Sequence, residues 1–209
     1  MNGKRGGRRG PFTVYRLPFT LLVLGCGVTP LTNKIDVGNE AFVVGVGEGP
    51  DSMTDLFAAP AGGGNFARLT FNRAEERAPR LASDGRSVAF QRRAGAAAEW
   101  TLVVLDLLTN QERVEPAPGN STPPERLGPH GEGVVAPCGA EQCVTVGDSA
   151  TSLGQVTGVM RWGSDSVGYF VGQNFEVRPL GGGRSRRPLW KQLPANLREL
   201  TYHSGKLSP

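Results

Sequence analysis

Two histidines, three cysteines and a spaced set of aspartates are the residues from which any chemistry would have to be built. Histidine is the side chain that ordinarily titrates near neutrality, and here His130 falls in a loop and His203 in the C-terminal tail. Neither has a serine and a carboxylate in a strand-and-turn context that would align a nucleophilic relay. Asp84, Asp106 and Asp165 form a candidate carboxylate set. Asp84 and Asp165 lie 81 residues apart in equivalent turns, where a short carboxylate caps backbone N–H groups and fixes the bend. Calcium or ligand contact and acid–base work are the weaker alternatives for these three. Cys138 and Cys143 flank Gly139-Ala140-Glu141-Gln142, a spacing unlike Cys-x-x-Cys and without a predicted helix N-terminus to lower a thiol pKa. As a metal site they offer two sulfurs, with His130 the one nearby nitrogen. They read best as a disulfide across a turn between two strands, with free buried thiols as the alternative. Trp100, beside Glu99, and Trp190, in a basic stretch, are the aromatics placed for partner contact. No catalytic residue, metal site or cofactor is expected, and Gly45-Val46-Gly47-Glu48-Gly49 is a turn, because no periodic helix follows it as a dinucleotide loop requires.

The elements that must position these residues are short strands. The 209 residues include 30 Gly and 16 Pro against 9 Phe, 3 Trp and 3 Tyr, a composition of many turns and a thin core. The formal charge of +4 comes from the first 25 residues, which hold Lys4, Arg5, Arg8, Arg9 and Arg16 and no acid. The remainder, with 18 bases and 19 acids, offers no overall field for a phosphate backbone, so no nucleic-acid partner is expected. The apolar run 17–25 is too short to span a bilayer as a helix. Its basic flank, apolar centre and small residue at the cut have the layout of an export signal. Val23-Leu24-Gly25-Cys26 resembles the lipobox of bacterial lipoprotein signals. That resemblance implies removal of 1–25, lipidation of Cys26 and anchoring at a membrane of the cell envelope; an unlipidated secreted chain is the alternative.

Residues 26–40 read as a tether, Ala41 to Val46 as a strand, and Asp51 to Phe66 as a long loop. The clearest unit runs from Arg68 to Val114. It contains the Ser83-Asp84-Gly85 turn, the alternating strand Ser87 to Gln91, the apolar strand Thr101 to Leu107, and a return strand near Gln111 to Glu115. Gly133–Cys138 and Gln142 to Val146 are two further strands. A third unit carries Trp162, the turn Gly163-Ser164-Asp165-Ser166, and a strand over Asn174 to Arg178.

On Leu69-Thr70, Pro79, Ser83-Asp84-Gly85, Val88-Ala89-Phe90, Asp106-Leu107 and Thr109, the order of elements resembles the repeat of TolB-like and tryptophan-aspartate-repeat-like β-propellers. Leu81 stands where the repeat has tryptophan, the turn proline between Ser83 and Asp84 is missing, and Asn110 replaces glycine. The resemblance covers about Arg68 to Leu180 and implies an all-β fold, a small or incomplete β-propeller of four-stranded antiparallel blades over 41–180. Residues 181–209 then form a basic tail, six bases to one acid over 184–209.

The resemblance to TolB-like repeats implies a non-catalytic envelope module that binds a protein or a cell-wall component, although propeller shape alone hosts many functions. Two alternatives stand beside it: a propeller-type hydrolase or lyase acting on a sugar or peptide, and a truncated propeller fragment with no independent function.

Overall fold

The computed structural model describes residues 35, 39–115, 126–127 and 133–205. Cys26, His130 and the 1–25 leader lie outside the described residues. Among the described residues the regular structure is all β: β1 (Phe42–Glu48), β2 (Thr54–Pro60), β3 (Gly63–Asn65), β4 (Ala67–Arg68), β5 (Glu75–Leu81), β6 (Ser87–Arg93), β7 (Thr101–Asp106), β8 (Glu112–Glu115), β9 (Arg126–Leu127), β10 (Gly133–Cys138), β11 (Glu141–Val146), β12 (Ser149–Gly154), β13 (Thr157–Trp162), β14 (Ser166–Val171), β15 (Asn174–Pro179), β16 (Leu189–Lys191) and β17 (Ala195–His203).

Four antiparallel sheets form. The first has the order β17-β1-β2-β4, the second β5-β6-β7-β8, the third β12-β11-β10-β9, and the fourth, with three strands, β13-β14-β15. Only the short pair β16–β3 is parallel among the described residues. Three separate apolar layers glue the sheets face to face. Phe42, Val44 and Val46 of β1 pack with Val88, Phe90, Val103 and Leu105 of the second sheet. The alternate β1 residue Val43 packs with Met160, Trp162, Phe175 and Val177 of the fourth sheet. Val144 of the third sheet packs with Val167 and Tyr169 of the fourth. The sheets therefore stack in the order second, first, fourth, third. β1 is apolar on both sides because it is sandwiched, which a strand's two-residue period demands. Among the described residues no comparable layer joins the second sheet to the third.

Several expectations give way. The stretch Gly45 to Gly49 read as a turn stays in strand as far as Glu48, because Gly45 and Gly47 pair with Phe57 and Asp55 of β2 and the side chains of β17 leave no room for a Cβ at Gly45. The tail over 181–209 contains β16 and the nine-residue β17, which pairs with β1 from Phe42↔His203 to Glu48↔Ala195. The C-terminal strand thus completes the N-terminal sheet, and Leu200 is buried in the layer between first and fourth sheets. The loop over Asp51 to Phe66 contains β2, all of whose central residues are buried; tertiary burial overrides the poor strand propensity of its aspartate and alanines. Within the supposed tether, Ile35 is buried against the first apolar layer. The unit read as starting at Arg68 divides, since Ala67–Arg68 pairs with β2 and the second sheet begins at Glu75. The expected four strands per unit hold in three sheets; the fourth has three.

Candidate functional site

Three strands from three sheets carry the same irregularity. In β5 the register jumps between Arg77 and Arg80, so Ala78-Pro79 together face one partner residue. In β13 it jumps between Thr157 and Met160, at Gly158-Val159. In β17 it jumps at Glu199-Leu200, opposite Gly45. Each is a bulge whose first residue is left-handed, with φ of 52° at Ala78, 59° at Gly158 and 54° at Glu199. Glycine takes that conformation without strain, whereas alanine and glutamate hold it against a steric cost of about 1–3 kcal/mol. Bulges turn backbone groups out of the ladder and re-aim side chains. Here all three open onto one cleft of about 250 Å³, lined by Ala78, Arg80, Gly158, Met160, Glu199 and Thr201 among others.

Glu199 sits at the junction. Its Oε2 accepts a hydrogen bond from the Ala78 N–H, and its Oε1 lies 3.8 Å from Arg198 Nε. Thr201 Oγ1 accepts from the Leu81 N–H at 3.4 Å, a long bond that also ties β17 to β5. Glu199 further lines two larger clefts. One, of about 630 Å³, runs between Gly158, Phe170 and the segment Leu193 to Arg198. The other, of about 500 Å³, is bounded by Thr54, Glu75, Arg77, Trp100 and Arg198. At its wall the Trp100 ring meets two cations, with the Arg77 guanidinium 3.8 Å and the Arg93 guanidinium 4.6 Å from the centroid. Arg77 also donates to Gln91 Oε1 at 2.8 Å, and Arg93 is paired with Glu75. Trp100 is therefore half-buried beside two cations.

Beneath this cleft a buried ionic network joins the first and second sheets. Glu76 is buried; its Oε2 accepts from Thr70 Oγ1 at 2.6 Å and the Leu56 N–H at 3.1 Å, and its Oε1 from Arg92 Nε at 2.9 Å and Asn72 Nδ2 at 3.1 Å. Asp55, also buried, pairs with Arg68 Nη2 at 2.6 Å, while its Oδ1 has no hydrogen-bond partner among the described residues. Burial pushes the Asp55 carboxyl up to about 6, against the pull of the Arg68 guanidinium and with the push of the Glu76 charge. Removing one partner of such a network costs far more than the intact pair contributes, so it fixes the angle between the two sheets that flank the Trp100 cleft.

The residues singled out from sequence fall in several places. Asp84 Oδ1 accepts the Arg86 N–H at 2.8 Å, and Asp106 Oδ1 accepts the N–H groups of Leu108 and Thr109 at 2.9 Å each. Asp165 differs: its Oδ1 accepts from Ser166 Oγ at 3.0 Å, and its turn uses Gly163, φ 70°, where the first turn uses Gly85, φ 66°. Ser83 contributes its carbonyl to His203 Nε2 at 3.1 Å, while His203 Nδ1 accepts the Gly205 N–H at 3.0 Å. Both contacts together fix the neutral imidazole with hydrogen on Nε2. His203 is thus a buried clamp on the Ser83-Asp84-Gly85 turn; a Cβ on Gly85 would stand 2.4 Å from its ring. Asp84 and Asp106 line one cleft of about 440 Å³ together with Glu112, while Trp100 lines the cleft of about 500 Å³. Cys138 and Cys143 are bridged diagonally across the β10–β11 hairpin, Cα–Cα 5.7 Å. Trp190 is not a free contact: it packs with Phe66, Trp162 and Phe175, and its Nε1 donates to Pro60 O at 2.8 Å. Among the described residues no group of three or more His, Cys, Asp or Glu is placed to hold a metal ion.

Glu199, Arg198 and the bulge at Ala78 escaped the sequence reading. The available signal was Leu200-Thr201-Tyr202 before His203-Ser204-Gly205, a run of strand formers ending at a glycine.

No family model and no curated protein matches this sequence. Among solved structures the chain is similar to TolB from Acinetobacter baumannii at 14% identity and a TM-score of 0.33, over 70% of this chain and 41% of that one. The chain thus spans less than half the length of that neighbour.

Proposed function

We propose that this chain is a non-catalytic binding module of the bacterial cell envelope, an incomplete propeller whose inner strands β5, β13 and β17 present a cleft to a protein or cell-wall component. The observation that carries the reading is the convergence of three left-handed bulges on that cleft. Bulges on inner strands expose backbone donors and acceptors that an extended ligand can pair with, and the adjoining cleft of about 500 Å³, which shares Glu199, adds an aromatic and cationic wall of Trp100, Arg77 and Arg198 for side chains. The hydrolase alternative needs two carboxylates at work across one opening. Glu75 and Glu199 line the same cleft, yet Glu75 is engaged by Arg93 and Glu199 by the Ala78 N–H, which favours holding a ligand over cleaving one. Membrane attachment rests on the lipobox-like Val23 to Cys26.

Cys26→Ala protein should bind an envelope extract saturably, and Trp100→Ala should weaken that binding by about tenfold or more, as removal of a central aromatic anchor does. Robust turnover of an ester, peptide or glycan panel would reject the reading. Mass spectrometry of membrane fractions should find an acylated peptide beginning at Cys26; a mature chain retaining Met1 would remove the anchor from the account.

A further inference from the structure

The charge on this molecule is unevenly placed. Residues 178–198 contain Arg178, Arg184, Arg186, Arg187, Lys191 and Arg198 and no acid, whereas 39–115 contain eleven acids against eight bases. The basic stretch is held to the outer edge of the fourth sheet. Arg186 and Val177 exchange backbone hydrogen bonds of 2.8 Å in both directions. Ser185 Oγ and Arg187 hold Glu176 at 2.8 and 3.0 Å. Further along, Trp190 stacks on Phe175 with centroids 5.1 Å apart, and β16 pairs with β3, which lies in the chain between β2 and β4 of the first sheet. The segment is a strap across two sheets.

With Trp190 turned into the aromatic layer, strand alternation turns Leu189 and Lys191 outward. Leu189 is 79% exposed and Leu193 44% exposed; Arg184, Arg186 and Lys191 are exposed and make no ion pair among the described residues. Glu176, the acid that faces the strap, is already engaged by Arg187 and Ser185. Two outward leucines in five residues, beside unpaired cations and on a pinned scaffold, match the chemistry of a bilayer surface. Leucine enters the acyl boundary while lysine and arginine stems reach the lipid phosphates.

We propose that the strap 184–193 is a contact surface for an anionic phospholipid bilayer, independent of whether Cys26 carries lipid. The test uses the chain from residue 26 onward with Cys26→Ala, which leaves out the basic and apolar stretch 1–25, and vesicles of phosphatidylglycerol and phosphatidylcholine in equal parts, read by sedimentation and by hydrogen exchange. Leu189→Asp with Lys191→Glu should weaken vesicle binding by about tenfold. The same charge change at exposed positions of β8, Val114→Asp with Arg113→Glu, should leave it unaltered. Bound vesicles should slow exchange of the 184–193 amides and leave those of 112–115 unchanged. Equal binding by the two variants, or 184–193 amides that exchange at the same rate with and without vesicles, overturns the proposal; an acidic protein as the true partner of the strap would give that result.

Discussion

Asp55 shows most directly how burial sets the behaviour of a single group here. Its carboxyl is buried behind β2, and its folded-state value of about 6 lies above the ordinary 3.8. Folding therefore favours the protonated form. The stabilising contribution of this proton is fully present below the ordinary value and is lost as pH rises through about 6. Glu176 has the opposite sign: hydrogen bonds from Ser185 and Arg187 lower it, so its contribution is present at neutral pH and lost as acid protonates it. The urea midpoint should accordingly show a component that rises as pH falls from about 7 to 4, and Asp55→Asn should flatten that component. A pH profile unchanged by the substitution would remove Asp55 as its source. None of this was legible in the sequence, where Asp55 stands in a stretch that reads as loop; only the arrival of Arg68 and Glu76 from other strands gives it an environment.

At the level of elements, the bulges explain both the site and the gaps in what the sequence discloses. β6 is plain in the chain because Val88 and Phe90 keep a two-residue period, and β7 because Leu102 to Leu105 is a continuous apolar run, although only Val103 and Leu105 of that run are buried. β17 hides because its extra residues break that period: Leu197, Leu200 and Tyr202 are spaced three and then two apart. β5 hides the same break at Ala78-Pro79, and a left-handed alanine or glutamate leaves no mark of its kind in the sequence. The turn Ser83-Asp84-Gly85 was readable because glycine and aspartate do local work there; the clamp by His203, 120 residues later in register with it, was not. The bulge geometry predicts two opposite effects on thermal or urea unfolding. Ala78→Gly should be neutral or stabilising by up to about 1 kcal/mol, since glycine relieves the left-handed strain while loosening the unfolded chain. Gly158→Ala should cost about 1 kcal/mol or more, because φ is 59° and the new methyl would stand 3.1 Å from the Phe170 ring. Equal effects of like sign at the two positions would contradict the shared bulge.

On the scale of the whole molecule, three apolar layers hold four sheets in a row, with the first sheet at the hinge of the arrangement. It touches the second sheet through Phe42 and Val44, the fourth through Val43 and Leu200, and it exists as four strands only because the C-terminal strand returns to β1. The all-β class and the repeated strand–turn units were visible along the chain; the pairing of β17 with β1 was not, since partners as distant as Phe42 and His203 leave no local pattern. β17 also supplies Glu199 and Thr201 to the bulged cleft and Arg198 to the adjoining Trp100 cleft. Ending the Cys26→Ala chain at Pro194 and following its thermal unfolding beside the full-length form tests this most directly. The account predicts that the shortened protein loses its cooperative transition and its binding of envelope extract together; a transition and binding equal to those of the intact chain would contradict it.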